Sequence, residues 1–154
     1  MKKYLLVIFI SMVPLIELRG AVPIAIGQEI DPLVSLILCT LANMVPVPII
    51  YFFARKFLLW GRKQKYIGNF CSFFLEKGEK AGRKLVAKTG RGGLFLALLL
   101  FVGIPVPGTG AWTGTLAASF LDMGFKSTVA SVSLGVLLAG IIMGTASLAV
   151  FGIF

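Results

Sequence analysis

The sequence predicts an all-α integral membrane fold, and three observations carry that prediction. Hydrophobic residues make up 58% of the 154-residue chain and charged residues only 14%, a balance that would leave a soluble domain covered in apolar surface. Two uncharged apolar runs, 34–53 and 128–154, are about 20 and about 27 residues long, each enough as a helix to cross a hydrocarbon core about 30 Å thick. Finally, eleven Lys/Arg between Arg55 and Arg91, set against Glu76 and Glu79 alone, carry the whole net charge of +9. A basic loop between apolar spans marks the cytoplasmic side.

The same charge distribution argues against nucleic acid. There is no zinc-finger spacing and no RNP-type pattern among the basic residues. The chain has no histidine, which excludes Ser-His-Asp and Cys-His catalysis and any histidine metal site. Cys39 and Cys71 lie far apart, in an apolar run and in the basic loop, and form no metal or redox motif. No cofactor and no metal is expected.

The N-terminal run begins like a signal peptide, with Lys2 and Lys3 before apolar residues 4–15. Arg19 just upstream of the small pair Gly20-Ala21, and Pro23 just after it, spoil a cleavage site. The segment is expected to be retained.

Each half of the chain then reads alike. Residues 4–16 form a short apolar arm of about 13 residues, roughly 20 Å as a helix, stopped by Glu17-Leu18-Arg19-Gly20 and followed by a second short run, 21–27. Residues 93–104 form an arm of about 12 residues, too short to cross as a helix, stopped by Pro105-Val106-Pro107-Gly108-Thr109-Gly110 and followed by 111–121. A full span comes after each pair. Neither arm crosses a bilayer alone, so each pair is either one broken transmembrane helix or a re-entrant hairpin. The hairpin reading gives an inverted repeat with both termini outside. The broken-helix reading gives four spans with both termini inside, which Lys2 and Lys3 mildly favour. Irregular backbone at membrane depth is tolerated only where protein or water covers it, and paired interrupted segments point to a transporter site in either case. The expected organisation is a single membrane domain over 1–154: a first repeat 1–54, a basic cytoplasmic loop 55–92 and a second repeat 93–154.

Within the loop, residues 64–88 place Ile67, Phe70 and Phe74 on one helical stripe, with Lys77, Lys80, Arg83, Lys84 and Lys88 beyond. This predicts an amphipathic helix lying on the inner leaflet, weakened locally by Gly78 and Gly82. Its plain role is a topology anchor, and capture of anionic headgroups is the functional alternative. In the last span, Ser131, Gly135 and Ala139, together with the pair Gly140 and Gly144, form a small-residue face for close helix packing. A homodimer contact is the other use of such a face.

Candidate substrate-binding residues fall at the elbows. Glu17 and Arg19 are ionisable groups in apolar surroundings, costing about 2.5–3.5 kcal/mol each on insertion scales. Two residues apart, they point to different sides of an ideal helix, and irregular backbone at the elbow would let both face one cavity. At the second elbow, Pro105 and Pro107 remove N–H donors, Gly108 and Gly110 permit unusual dihedrals, and Thr109 is a candidate N-cap for the second arm. That arm's N-terminus would attract an anion, and Trp112 could stack on a ligand. Gly108-Thr109-Gly110 is no phosphate loop, because the following Lys is missing. Asn43, Pro46 and Pro48 interrupt the first full span and could line a cavity.

These residues also carry a family resemblance. Pro14-Leu-Ile-Glu17-Leu-Arg19-Gly20-Ala-Val-Pro23, Ala42-Asn43-Met-Val-Pro46-Val and Ile104-Pro105-Val-Pro107-Gly108-Thr109-Gly110-Ala-Trp112-Thr-Gly114 resemble, in order and over most of the chain, the putative small multidrug export protein family. That family looks distantly similar to the DedA/VTT superfamily of membrane proteins. The resemblance implies re-entrant hairpins in an inverted repeat, and a multi-pass protein of a prokaryotic plasma membrane exporting small molecules. The DedA-like relatives imply the alternative, a flippase-like carrier of an anionic lipid such as a polyprenyl phosphate. On the exporter reading Glu17 binds a cation or proton. On the carrier reading Arg19 pairs a phosphate bidentately. An enzyme is the weakest reading: Glu29, Asp31 and Asp122 lie at span ends, and no nucleophile–base pair is legible.

Overall fold

The computed structural model describes residues 2–14, 16–64, 66, 68–106 and 109–151, without the side chains at 55, 58, 70, 71, 74, 75, 77–79, 81, 82, 85 and 86. All regular structure among the described residues is helical. The elements are α1 (Lys2–Met12), α2 (Glu17–Gly27), α3 (Pro32–Met44), α4 (Pro46–Gly61), α5 (Gly68–Gly103), α6 (Ala111–Phe120) and α7 (Phe125–Phe151).

Two stretches are long and apolar enough to cross a membrane. One is Pro32–Gly61, 30 residues with mean hydropathy 2.2, and the other is α7, 27 residues with the same mean. The first begins sharply because the Asp31 carboxylate accepts from the N–H groups of Leu33 (2.9 Å) and Val34 (3.1 Å), with Pro32 at the first helical position. Val45 parts α3 from α4 yet keeps helical dihedrals (φ −58°, ψ −44°). The interruption expected at Asn43, Pro46 and Pro48 is therefore a gap in the hydrogen-bond ladder, where the prolines donate nothing, rather than a turn. α4 also runs on to Gly61, past the residue-54 boundary expected for the first repeat.

The short arms fold back on each other. Lys3 Nζ donates to the Gln28 carbonyl at 3.2 Å, which sets the start of α1 beside the end of α2. In the second half, Leu94 and Leu98 of α5 share a cavity with Leu121 and Met123 beyond α6, so the start of that arm lies beside the end of its partner. α5 holds two helices joined at Gly90, where φ 71° and ψ 177° break the run. Only glycine adopts that conformation readily. The membrane arm is therefore 91–103, and 68–89 is the helix expected in the basic loop. Lys80, Arg83, Lys84 and Lys88 are exposed on it. Ile67 lies outside the described residues, as do the side chains of Phe70, Phe74 and Lys77.

The second arms end in the same way. Glu29 and Asp122 take left-handed dihedrals (φ 58° and 55°). The next residue then reaches back, Ile30 N–H to the Ala25 carbonyl (3.1 Å) and Met123 N–H to the Ala118 carbonyl (3.0 Å). Ser35 and Thr128 close each corner by donating to the carbonyls of Ile30 and Met123, both at 3.4 Å. These are Schellman-type caps, at the same spacing in both halves.

α7 organises the packing. Ser131 Oγ donates to the Phe95 carbonyl at 2.7 Å, and Gly135 lies against Leu99 and Val102. Further along, Gly140 meets Leu18 and Leu36, and Gly27 meets Phe151. The first half of α7 thus flanks the 91–103 arm and its second half flanks α2, so both elbows arrive at its middle. The small-residue face is engaged inside the chain: Ser131, Gly135, Ala139 and Gly140 are all buried. A Cβ on Gly135 would lie 2.8 Å from the Leu99 carbonyl oxygen and 2.8 Å from the Val102 Cβ. Gly135→Ala is therefore expected to destabilise by about 1–3 kcal/mol, seen as a lower melting temperature in detergent.

Candidate functional site

The backbone at the first elbow differs from the sequence expectation. Residues 17–20 are not an irregular link between arms but the first turn of α2, and the chain turns ahead of them, where the N–H groups of Ile16 and Glu17 donate to the Val13 carbonyl. Glu17 opens the helix with φ 50°. That left-handed residue throws its side chain away from the path Arg19 follows. The two charges consequently reach the second elbow at separate points.

The Glu17 carboxylate, 5% exposed, accepts from the backbone N–H groups of Ala111 (3.0 Å, to Oε2) and Trp112 (3.1 Å, to Oε1). It caps the N-terminus of α6 from 94 residues away in sequence. Thr109 is thus not the N-cap. Gly110 occupies that place, with extended dihedrals and no side chain to offer. Gly110 is also sterically required, since a Cβ there would coincide with the Glu17 carboxylate.

Arg19 serves the other arm. Its guanidinium donates to the carbonyls of Val102 (3.1 Å), Ile104 (3.1 Å) and Thr109 (3.0 Å), to Thr109 Oγ1 (2.9 Å) and to the Val106 carbonyl. Thr109 Oγ1 in turn bonds back to the Ile104 and Val106 carbonyls at 3.1 and 2.9 Å. These carbonyls end α5 and line the loop at Pro105. A cation at a helix C-terminus and an anion at a helix N-terminus both complement the macrodipole. The clasp is reciprocal, because the Trp112 indole N–H donates to the Met12 carbonyl (3.1 Å) at the end of α1. Trp112 therefore bridges the elbows through its ring nitrogen.

Behind the clasp, Glu17, Leu18, Arg19, Asn43, Val102, Gly110, Ala111, Val136 and Ala139 line a void of about 10 Å³. Asn43 is 2% exposed, and its Oδ1 has no hydrogen-bond partner among the described residues. A buried acceptor left unpaired costs about 1–3 kcal/mol. The void is well below the ~300–1,000 Å³ of drug-sized sites, so the elbows are closed on each other here.

Of the residues expected from sequence, Glu17, Arg19, Asn43, Pro105, Thr109, Gly110 and Trp112 converge at the clasp, while Pro107 and Gly108 lie outside the described residues. Sequence reasoning passed over Ala111, whose backbone N–H is the nearest partner of Glu17. No side-chain signal could have marked it. Val102 and Ile104 likewise take part only through carbonyl oxygens.

Two membrane-length helices, and short apolar arms whose tips are tied by an acid and a base, define a helical membrane protein with a charged site between two elbows. A family model described as "Putative small multi-drug export protein" matches residues 17–142. The chain belongs to that family, and the match begins at Glu17 itself. No curated protein and no solved structure matches the chain.

Proposed function

We propose that the protein exports small, cationic molecules through the space between its two elbows, with the clasp as the closed gate. The arms are re-entrant hairpins and the two halves an inverted repeat, as in the DedA/VTT likeness. The repeat is supported by the matching corners: Ala25, Ile30 and Ser35 correspond to Ala118, Met123 and Thr128 at one constant offset, with the same hydrogen bonds. It is supported again by the exchange of neighbours, in which α2 packs on the second half of α7 while α6 packs on α4, the second half of the other span.

The observation that carries the export reading is the Glu17 carboxylate held by two backbone N–H groups of the opposite hairpin. Separating the tips frees a carboxylate inside the protein, and the neighbouring Asn43 Oδ1 adds a second acceptor without a donor. Two acceptors in an apolar wall suit a cation or a proton. The anionic-lipid carrier needs Arg19 and the N-terminal N–H groups of α6 to be available. Here Arg19 is committed to carbonyls, and Ala111 and Trp112 to Glu17.

Proteoliposomes loaded with tetraphenylphosphonium test this. Glu17→Gln keeps the shape and one acceptor but removes the charge, and export is expected to fall at least tenfold while the protein remains folded. Wild-type rates in this variant would sink the reading.

A further inference from the structure

A second, wholly different cavity lies on the outer side of the second hairpin. It is an open groove of about 190 Å³ between the 91–103 arm and α6, lined by apolar residues that include Leu94, Leu98, Phe101, Ala117, Leu121 and Met123. Its volume is below the ~300–1,000 Å³ of drug-sized sites but its walls are apolar along its length, and the clasp makes no use of it. The groove runs along the arm from Leu94 to Phe101, about two helical turns.

Charge marks one end. Arg91 stands one turn before Leu94 on the same helix and is exposed. The Ser131–Phe95 hydrogen bond sets α7 alongside the 91–103 arm, which brings the exposed Lys126 to the same level as Arg91. Lys88 lies just across the Gly90 break and is exposed as well. Asp122 is the acidic residue at this end, so the rim is net positive. At the Phe101 end the cation is Arg19, whose guanidinium is already taken up by the carbonyls of Val102, Ile104, Val106 and Thr109.

We infer that this groove holds part of one acyl chain of an anionic membrane lipid whose headgroup rests on Arg91, Lys126 and Lys88. An apolar slot with exposed cations at one mouth, and at the other only an arginine committed to backbone carbonyls, is complementary to a molecule with an apolar tail and a negative head. Juxtamembrane Lys/Arg attract anionic lipid in general. The groove adds a fixed seat for the tail, so binding is expected at one site rather than as a diffuse halo. This proposal does not depend on what the elbows transport.

The test is native mass spectrometry of the full chain released from micelles containing equal phosphatidylglycerol and phosphatidylcholine. The wild type is expected to retain a single lipid, phosphatidylglycerol over phosphatidylcholine by at least fivefold. Arg91→Gln with Lys126→Gln should bring that ratio close to one. Ala117→Phe, which fills the groove, should remove the retained lipid, and an unchanged helical circular dichroism spectrum would show the fold intact. Soluble glycerophosphoglycerol, the headgroup without chains, should not compete. Equal retention of both lipids by the wild type would overturn the proposal. So would a phosphatidylglycerol preference that survives Ala117→Phe, since diffuse attraction to the basic segment ignores the groove, or displacement by glycerophosphoglycerol. Should Ala117→Phe misfold, Ala97→Leu on the facing helix serves the same purpose, with the same outcomes.

Discussion

Arg19→Ala is expected to abolish export and to destabilise the detergent-solubilised protein by about 3 kcal/mol, the upper end of the range for a hydrogen bond to a charged group, since Arg19 is only half-buried. The size follows from what Arg19 leaves behind. Four backbone carbonyls and the Thr109 hydroxyl lose a charged donor, and Glu17 loses the one cation that, among the described residues, lines its void. Hydrogen bonds to charged groups contribute about 1.5–3 kcal/mol apiece at most, and several made by one side chain do not add. Arg19→Lys keeps the charge but not the fork. It should recover part of the stability and less of the transport, because one ammonium cannot span carbonyls from Val102 to Thr109. Thermal melts and proteoliposome export of the three proteins, measured side by side, check both halves. An Arg19→Ala protein as stable as wild type would mean that the clasp contributes nothing to the closed state.

Gly110→Ala is expected to have the second-largest effect, through a single methyl group. Its Cβ would occupy the place of the Glu17 carboxylate, so the carboxylate must leave the N-terminus of α6. Two N–H groups lose their acceptor and a charge loses its partners, a loss of about 2–4 kcal/mol by analogy with other buried charged hydrogen bonds. The mechanism predicts a specific failure of additivity. In a Glu17→Ala background there is no carboxylate to displace, and Gly110→Ala should then cost less than about 1 kcal/mol, since contacting residues couple by 0.5–3 kcal/mol. A cycle of four melting curves measures the coupling. Additive costs would show that Gly110 matters for its backbone and not for Glu17.

The contrast between what was legible in the sequence and what was not follows from range. Hydropathy and charge are local signals, and they were enough for the two membrane-length helices, the four short arms and the basic segment. The convergence of Glu17, Arg19 and Trp112 was legible only as a shared expectation of placement at elbows. Their actual partners lie 83 to 100 residues away, and several of those partners are backbone atoms, which carry no residue-specific signature. Thr109 illustrates the loss. A hydroxyl before a helix is a good N-cap by propensity, but a buried carboxylate from another hairpin is a stronger acceptor and took the N–H groups, leaving Thr109 to Arg19. The turn ahead of Glu17 was missed for a related reason. Glu17 reads as a helix stop beside apolar residues, whereas its left-handed backbone lets it begin the next helix while its side chain crosses to the other half.

That crossing bears on the order in which the protein is made. The first hairpin leaves the ribosome with Glu17 and Arg19 on board, and the groups that neutralise them are backbone atoms between Val102 and Trp112. Until that later stretch is synthesised, the first hairpin carries an acid and a base with no lawful place in lipid. Neither half can complete its own helix ends: the first lacks the donor for Met12 and the second lacks the acid for Ala111. Two separately produced halves, split in the exposed segment near Gly90, should therefore be degraded when expressed singly and accumulate together when coexpressed.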